Sequence, residues 1–205
     1  MLVLSPFHRL AALHASLACR LQSATQDWLL GLSARLIFSS ALLVFFLNAA
    51  ATKTGTGFPD FLVPSASAYI QILPSVMEAY GYDETAIPFL PYGLIVYAGT
   101  YAEFLLPLMI LVGLFTRVVS LAMIGFIAVL SFVDIQFHQV DAATIGALFD
   151  RVQDAAILDQ RLLWLFPLIY LVLRGPGLLS ADAVLGRLFA SRRDRVPSDA
   201  SMRVA

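Results

Sequence analysis

Residues 97–117 read YAGTYAEFLLPLMILVGLFTR. This run is long enough to cross a bilayer as a helix, since about 20 residues at 1.5 Å each match the hydrocarbon thickness. It ends on Arg117 and carries Glu103 near its middle. A carboxyl group at such a depth costs roughly 2.5–3.5 kcal/mol even on the lenient insertion scale. A chain that keeps one there has a partner, a water-lined cavity or a task for it. On a helix Glu103 shares its face with Tyr92, Val96, Gly99, Thr100, Pro107 and Ile110. Small and polar residues on that face turn it towards other helices rather than lipid. Pro107, four residues on, has no N–H to give the Glu103 carbonyl, which loosens the turn beside the carboxyl group.

Composition points the same way along the whole chain. Of 205 residues, 60% are hydrophobic and 13% charged, with a mean hydropathy of +0.82. A soluble domain has about 45–50% apolar and about 25% charged residues, so the apolar excess is surface meant for lipid. The net charge of -1 argues against nucleic acid as a partner. Cys19 is the only cysteine, which excludes an internal disulfide, a C-x-x-C pair and a cysteine-ligated cluster.

Outward from the opening stretch, three further apolar runs complete a set of four spans at about 29–51, 91–115, 118–137 and 155–173. The predicted fold is all-α: a four-helix transmembrane bundle occupying 29–190. Residues 1–28 precede it, and a polar tail, 191–205, lacks periodicity and is expected to be disordered. In the first segment Leu10, Leu13, Leu17 and Leu21 recur at helical spacing, while His8, Arg9, His14 and Arg20 break any signal-peptide core. This is an amphipathic helix, either docked on a membrane or partner surface or packed on the bundle. Between the first two spans, Tyr69, Ile72, Leu73, Val76, Met77 and Tyr80 predict a short amphipathic helix, capped by Ser65 or Ser67 and kinked at Pro74. It is too short to span, so it lies in the interface or covers the bundle's mouth as a lid.

In the third span Asp134 and His138 stand one helical turn apart. They are placed to share a proton, to ligate a metal, or to make interfacial hydrogen bonds; with no third ligand in view, no metal site is assigned. The apolar part of the fourth span is short, so Asp159, Gln160 and Arg161 belong in the interface or in a cavity of the bundle. Ser180 is placed to cap a last amphipathic helix over 181–189. Four spans put both termini on one side together with ten of the thirteen Lys and Arg; Lys53, Arg151 and Arg161 are on the other. The positive-inside rule therefore predicts cytoplasmic termini.

Arg35-Leu36 opening the first span and Lys53 closing it resemble the start of the DoxX family of small bacterial membrane proteins. Glu103 followed by Gly113-Leu114-x-Thr116-Arg117, and Gly175-Pro176-Gly177 with Ser180 and Asp182, are similar to two further stretches of that family. The resemblance covers about 32–188. It departs at Ala50, where the family has glycine, and in the length of the first loop. It implies a four-helix bundle in a bacterial inner (plasma) membrane and a place in oxidoreductase complexes that handle oxidative and thiol stress. On this basis Glu103 is the candidate proton donor or acceptor, with Asp134 and His138 beside it in that role. Arg35, Lys53, Tyr92, Thr100 and Tyr101 are candidate ligand-binding residues, and quinone, non-covalently held, is the candidate cofactor. Expected partners are the lipid bilayer, redox proteins that supply the electrons, and other copies of the chain. Two alternatives stand beside this reading: a non-catalytic scaffold for partner proteins, and a carrier for a small solute or proton lined by Glu103 with Arg35 or Lys53.

Overall fold

The computed structural model describes residues 6–193, and among these all regular elements are helical. In chain order they are α1 (Pro6–Thr25), α2 (Leu29–Ala51), α3 (Ala66–Ile72), α4 (Pro74–Ala79), α5 (Leu94–Val112), α6 (Thr116–Gln136), α7 (Ala142–Ile145), α8 (Leu162–Arg174) and α9 (Ala181–Arg193). A wide π turn at Ala156–Arg161 leads into α8 and lengthens it, whereas Phe89–Gly93 enters α5 through a kink at Leu90, whose backbone is extended (φ -105°, ψ 124°). Four helices are then long and apolar enough to cross a membrane: Leu29–Ala51, Phe89–Val112, Thr116–Gln136 and Ala156–Arg174. The chain is a multi-pass helical membrane protein. Val118, Leu163 and Phe166 illustrate why: each is at least 70% exposed, an arrangement that lipid rewards and water does not.

The four spans pack in a ring, α2 beside α5, α5 beside α6, α6 beside α8 and α8 beside α2. Sequential antiparallel neighbours are the cheapest way to arrange helices joined by short connections. The core is one apolar cluster drawn from all four, with Phe38, Phe46, Ile110, Met123, Leu168 and Leu171 fully enclosed. Its two ends differ. One, the termini end, holds α1, α9 and the α5–α6 turn, and the other, the loop end, holds α3, α4 and α7.

The α5–α6 turn falls earlier than the sequence suggests, over residues 113–115. Gly113 (φ +71°) and Phe115 (φ +46°) are both left-handed, so α5 stops at Val112 and α6 starts at Thr116. The predicted lid is two helices rather than one kinked helix, because Leu73 leaves helical geometry and Pro74 starts α4. Tyr69 and Met77 from this pair join Ala68, Ile87 and Val96 in a second cluster on the outer end of α5. Ser65 precedes α3 as expected, yet its hydroxyl donates to the Lys53 carbonyl (3.1 Å) instead of capping. Ser180 does cap α9, accepting from the Ala183 amide at 3.2 Å. That helix runs on to Arg193, which takes it past the expected end at 189; residues 194–205 of the predicted tail lie outside the described residues.

For α1, packing on the bundle is not what the structure has. Leu10, Leu13, Leu17 and Leu21 are 57–67% exposed, so the apolar stripe is not buried against the bundle. The α1–α2 junction is tied to the Gly175–Ser180 segment instead, where the Leu178 amide donates to the Asp27 carbonyl.

Candidate functional site

Glu103 meets Lys53. The ammonium Nζ lies 2.8 Å from Oε2 and 3.0 Å from Oε1, and both side chains are almost fully enclosed. A third bond, 3.2 Å to the Ala49 carbonyl, uses the last ammonium donor. Lys53 stands past the end of α2, where a chain would ordinarily fray. Here its backbone is clamped: its amide donates to the Ala50 carbonyl, while its own carbonyl accepts from the Ser65 amide (2.8 Å) and hydroxyl. The loop between them closes on itself through a Thr54–Pro64 bridge. The first loop thus holds the cation above the carboxylate.

The pair forms part of the wall of a crevice between α5 and α6, about 540 Å³ in volume. Ala98, Gly99, Ala102 and Ala122 make room for it, and Leu106, Phe126 and Leu130 give it apolar walls. Ile72 and Gln71 of α3 roof its loop end, with Ile72 so near that a Cβ on Gly99 would lie 3.1 Å from its Cδ1. Gln71 is held by Ser67 (2.8 Å) and Thr52 (3.3 Å). His138 Nε2 donates to the Gln71 carbonyl at 3.2 Å, which assigns the proton to Nε2 because a carbonyl can only accept.

Asp134 and His138 both line the crevice, but each is engaged with another element. Arg161 crosses from the start of α8, placing Nη2 2.5 Å from Asp134 Oδ2 and Nη1 2.8 Å from Ser131 Oγ. Of the three interface candidates on the fourth span, Arg161 is the one that enters the bundle wall; Asp159 accepts from the Ala155 amide (3.0 Å). The loop end has two further tuned carboxyl groups. Thr144, through its amide, holds Asp141 below the usual carboxylate range, and the Thr85 hydroxyl and amide do the same for Asp83.

The remaining candidates scatter. Thr100 is buried one turn from Glu103, with no partner for its hydroxyl. Tyr92 packs in the lid cluster, and the Tyr101 hydroxyl reaches out to the Leu62 carbonyl at 2.7 Å.

Arg35 is at the far end of α2 from Lys53, about 27 Å along the axis at 1.5 Å per residue, and does not reach Glu103. Its guanidinium donates to the Leu111 (3.0 Å) and Leu179 carbonyls and fills the space beside Gly113, where a Cβ would lie 2.5 Å from Nη1. Asp182 completes this knot. Its carboxylate accepts from the Phe115 (2.6 Å) and Thr116 (2.8 Å) amides, capping α6, while its own amide donates to the Gly113 carbonyl. Gly31 lets α2 touch the Pro176 backbone, since a Cβ there would lie 2.5 Å from it. Arg35, the 113–117 turn and the 175–182 segment therefore converge on one structural joint at the termini end, away from the crevice.

Sequence reading placed Arg161 in the interface or a cavity without naming its partner, and it missed Gln71 and the small-residue wall. For Arg161 the signal was present in the oversized polar start of a short span. For Gln71 there was none.

Comparison with family models, with curated proteins and with solved structures finds no match to this chain.

Proposed function

We propose that this chain is a DoxX-like membrane subunit of an oxidoreductase complex, and that its α5–α6 crevice takes a quinone from the bilayer. The observation that supports this reading is a crevice of about 540 Å³ with apolar walls and one buried ion pair, Lys53–Glu103, at its side. Such a site suits a molecule with a greasy body and a small polar head. The Glu103 carboxylate keeps lone pairs beyond those facing Lys53, so it can accept a hydrogen bond from a quinol hydroxyl and receive its proton. Electrons come from a partner protein in this reading, and the termini face the cytoplasm by charge bias.

A scaffold function has its own support: Lys53 already uses every donor within the chain, and the Arg35–Asp182 joint is purely architectural. The carrier reading has less, because Phe38, Leu42 and Phe46 fill the bundle beyond the crevice.

Quinone titrated into the chain in nanodiscs separates these. Saturable binding in the wild type, weakened at least tenfold by Ala102→Leu with the far-UV spectrum unchanged, supports the quinone site. Binding that is absent, or indifferent to Ala102→Leu, leaves the scaffold.

A further inference from the structure

A second pocket, of about 350 Å³, opens at the termini end where the α1–α2 junction meets the end of α8. It is lined by Gln26, Asp27, Tyr170, Arg174 and the backbone of Gly175 and Gly177. Its chemistry is opposite to that of the crevice: one carboxylate, one guanidinium, one amide and one phenol around a mostly polar wall. Among the described residues neither Asp27 nor Arg174 has an ion-pair partner within 4.0 Å, and they do not pair with each other. Two opposite charges that share a pocket without touching fit a ligand carrying both charges.

The walls are joined before any ligand arrives. The Leu178 amide donates to the Asp27 carbonyl at 2.9 Å, and Gly177 (φ +81°) lies so close that a Cβ would be 3.1 Å from the Trp28 carbonyl oxygen. Apolar surface adjoins the pocket on both helices. Leu30 of α2 and Ile169 and Leu173 of α8 are each exposed by 47–69%, on spans whose outer faces meet lipid. Acyl chains lying on those side chains bring a headgroup to the level of Tyr170 and Arg174, the depth at which aromatic and basic residues anchor at interfaces.

We infer that this pocket binds a phospholipid whose headgroup carries a phosphate and a primary ammonium, with the phosphate on Arg174 and the ammonium on Asp27. A primary ammonium has three N–H donors for the carboxylate. A choline headgroup carries the same charge without those donors, and a glycerol headgroup has no cation for Asp27.

The full-length chain is reconstituted in nanodiscs holding equal parts phosphatidylethanolamine, phosphatidylcholine and phosphatidylglycerol, released gently into detergent, and its retained lipids are counted by native mass spectrometry. Phosphatidylethanolamine is expected to be retained over the other two by roughly tenfold, the scale of one charge-assisted hydrogen bond. Asp27→Asn removes that preference, and Arg174→Gln lowers retention of all three lipids. Equal retention in the wild type, a preference for phosphatidylglycerol, or a preference that survives Asp27→Asn overturns the assignment. Short-chain phosphatidylethanolamine added to the detergent-solubilised wild type gives a check without variants: it raises the melting temperature, whereas glycerophosphoethanolamine alone, lacking acyl chains, raises it less. No shift with the lipid counts against the site.

Discussion

At the scale of single residues, Lys53–Glu103 is the more deeply buried of the two ion pairs among the described residues. Removing one partner leaves the other charge buried without compensation, which costs about 3–5 kcal/mol. Glu103→Gln is therefore expected to lower stability in denaturant titrations by that order. The double variant Lys53→Met/Glu103→Leu, with both charges gone, regains most of the loss, and a double variant as unstable as the single one would show that the pair does more than satisfy itself. The same reasoning gives Asp182 a smaller role. Its carboxylate caps α6, so Asp182→Ala should cost about 0.5–2 kcal/mol without touching ligand binding in the crevice, read in one sample by unfolding and by quinone titration. That Glu103 faces inward was legible from its neighbours at helical spacing. Its partner was not, because Arg35 and Lys53 flank the same span and nothing local distinguishes them.

At the scale of elements, long apolar helices were read nearly to the residue, while the short elements depended on their surroundings. The first span matches its expected limits at 29–51. The second ends three residues before its expected limit and the third starts two before, because Gly113 and Phe115 turn the chain at once. Spacing located the lid, but its division at Pro74 and its seat on α5 come from packing Tyr69 and Met77 against Val96. The small helix α7 offers a pH test. Asp141 accepts from the Thr144 amide at 2.7 Å, which lowers its pKa in the folded state. A lowered folded-state pKa means that the cap stabilises α7 fully above the unfolded value of about 3.9 and is lost as pH falls through the folded one. The protection of amides over residues 141–146, meaning exchange relative to the intrinsic rate at the same pH, should therefore fall as the pH drops below about 4. Asp141→Asn, which keeps an acceptor but does not titrate, should flatten that dependence.

At the scale of the whole molecule, the crevice is roofed at the loop end by α3, and the pocket between the α1–α2 junction and α8 opens at the termini end. The bundle's orientation can be read from a native probe, since Cys19 is the only cysteine and is exposed on α1. With cytoplasmic termini, a membrane-impermeant maleimide labels Cys19 only after cells are permeabilised. The Cys19→Ser/Phe149→Cys variant, with its cysteine in the fully exposed Phe149 position at the loop end, is labelled in intact cells. The opposite pattern would reverse the assigned topology.

Apolar length determined the four spans and, through their number, which loops share a side, because transfer into lipid acts on each span separately and needs no partner within the chain. The interior position of Glu103 followed from helical periodicity alone. Only the tertiary structure decided that Glu103 pairs with Lys53, that Asp134 pairs with Arg161, and that Arg35 joins Gly113 and Asp182 in an architectural knot. Each of these contacts joins residues far apart in sequence, so it depends on which helices are neighbours and at what height. Those are properties of the folded ring, set by how the side chains of Phe38, Phe46, Met123 and Leu168 fill its centre.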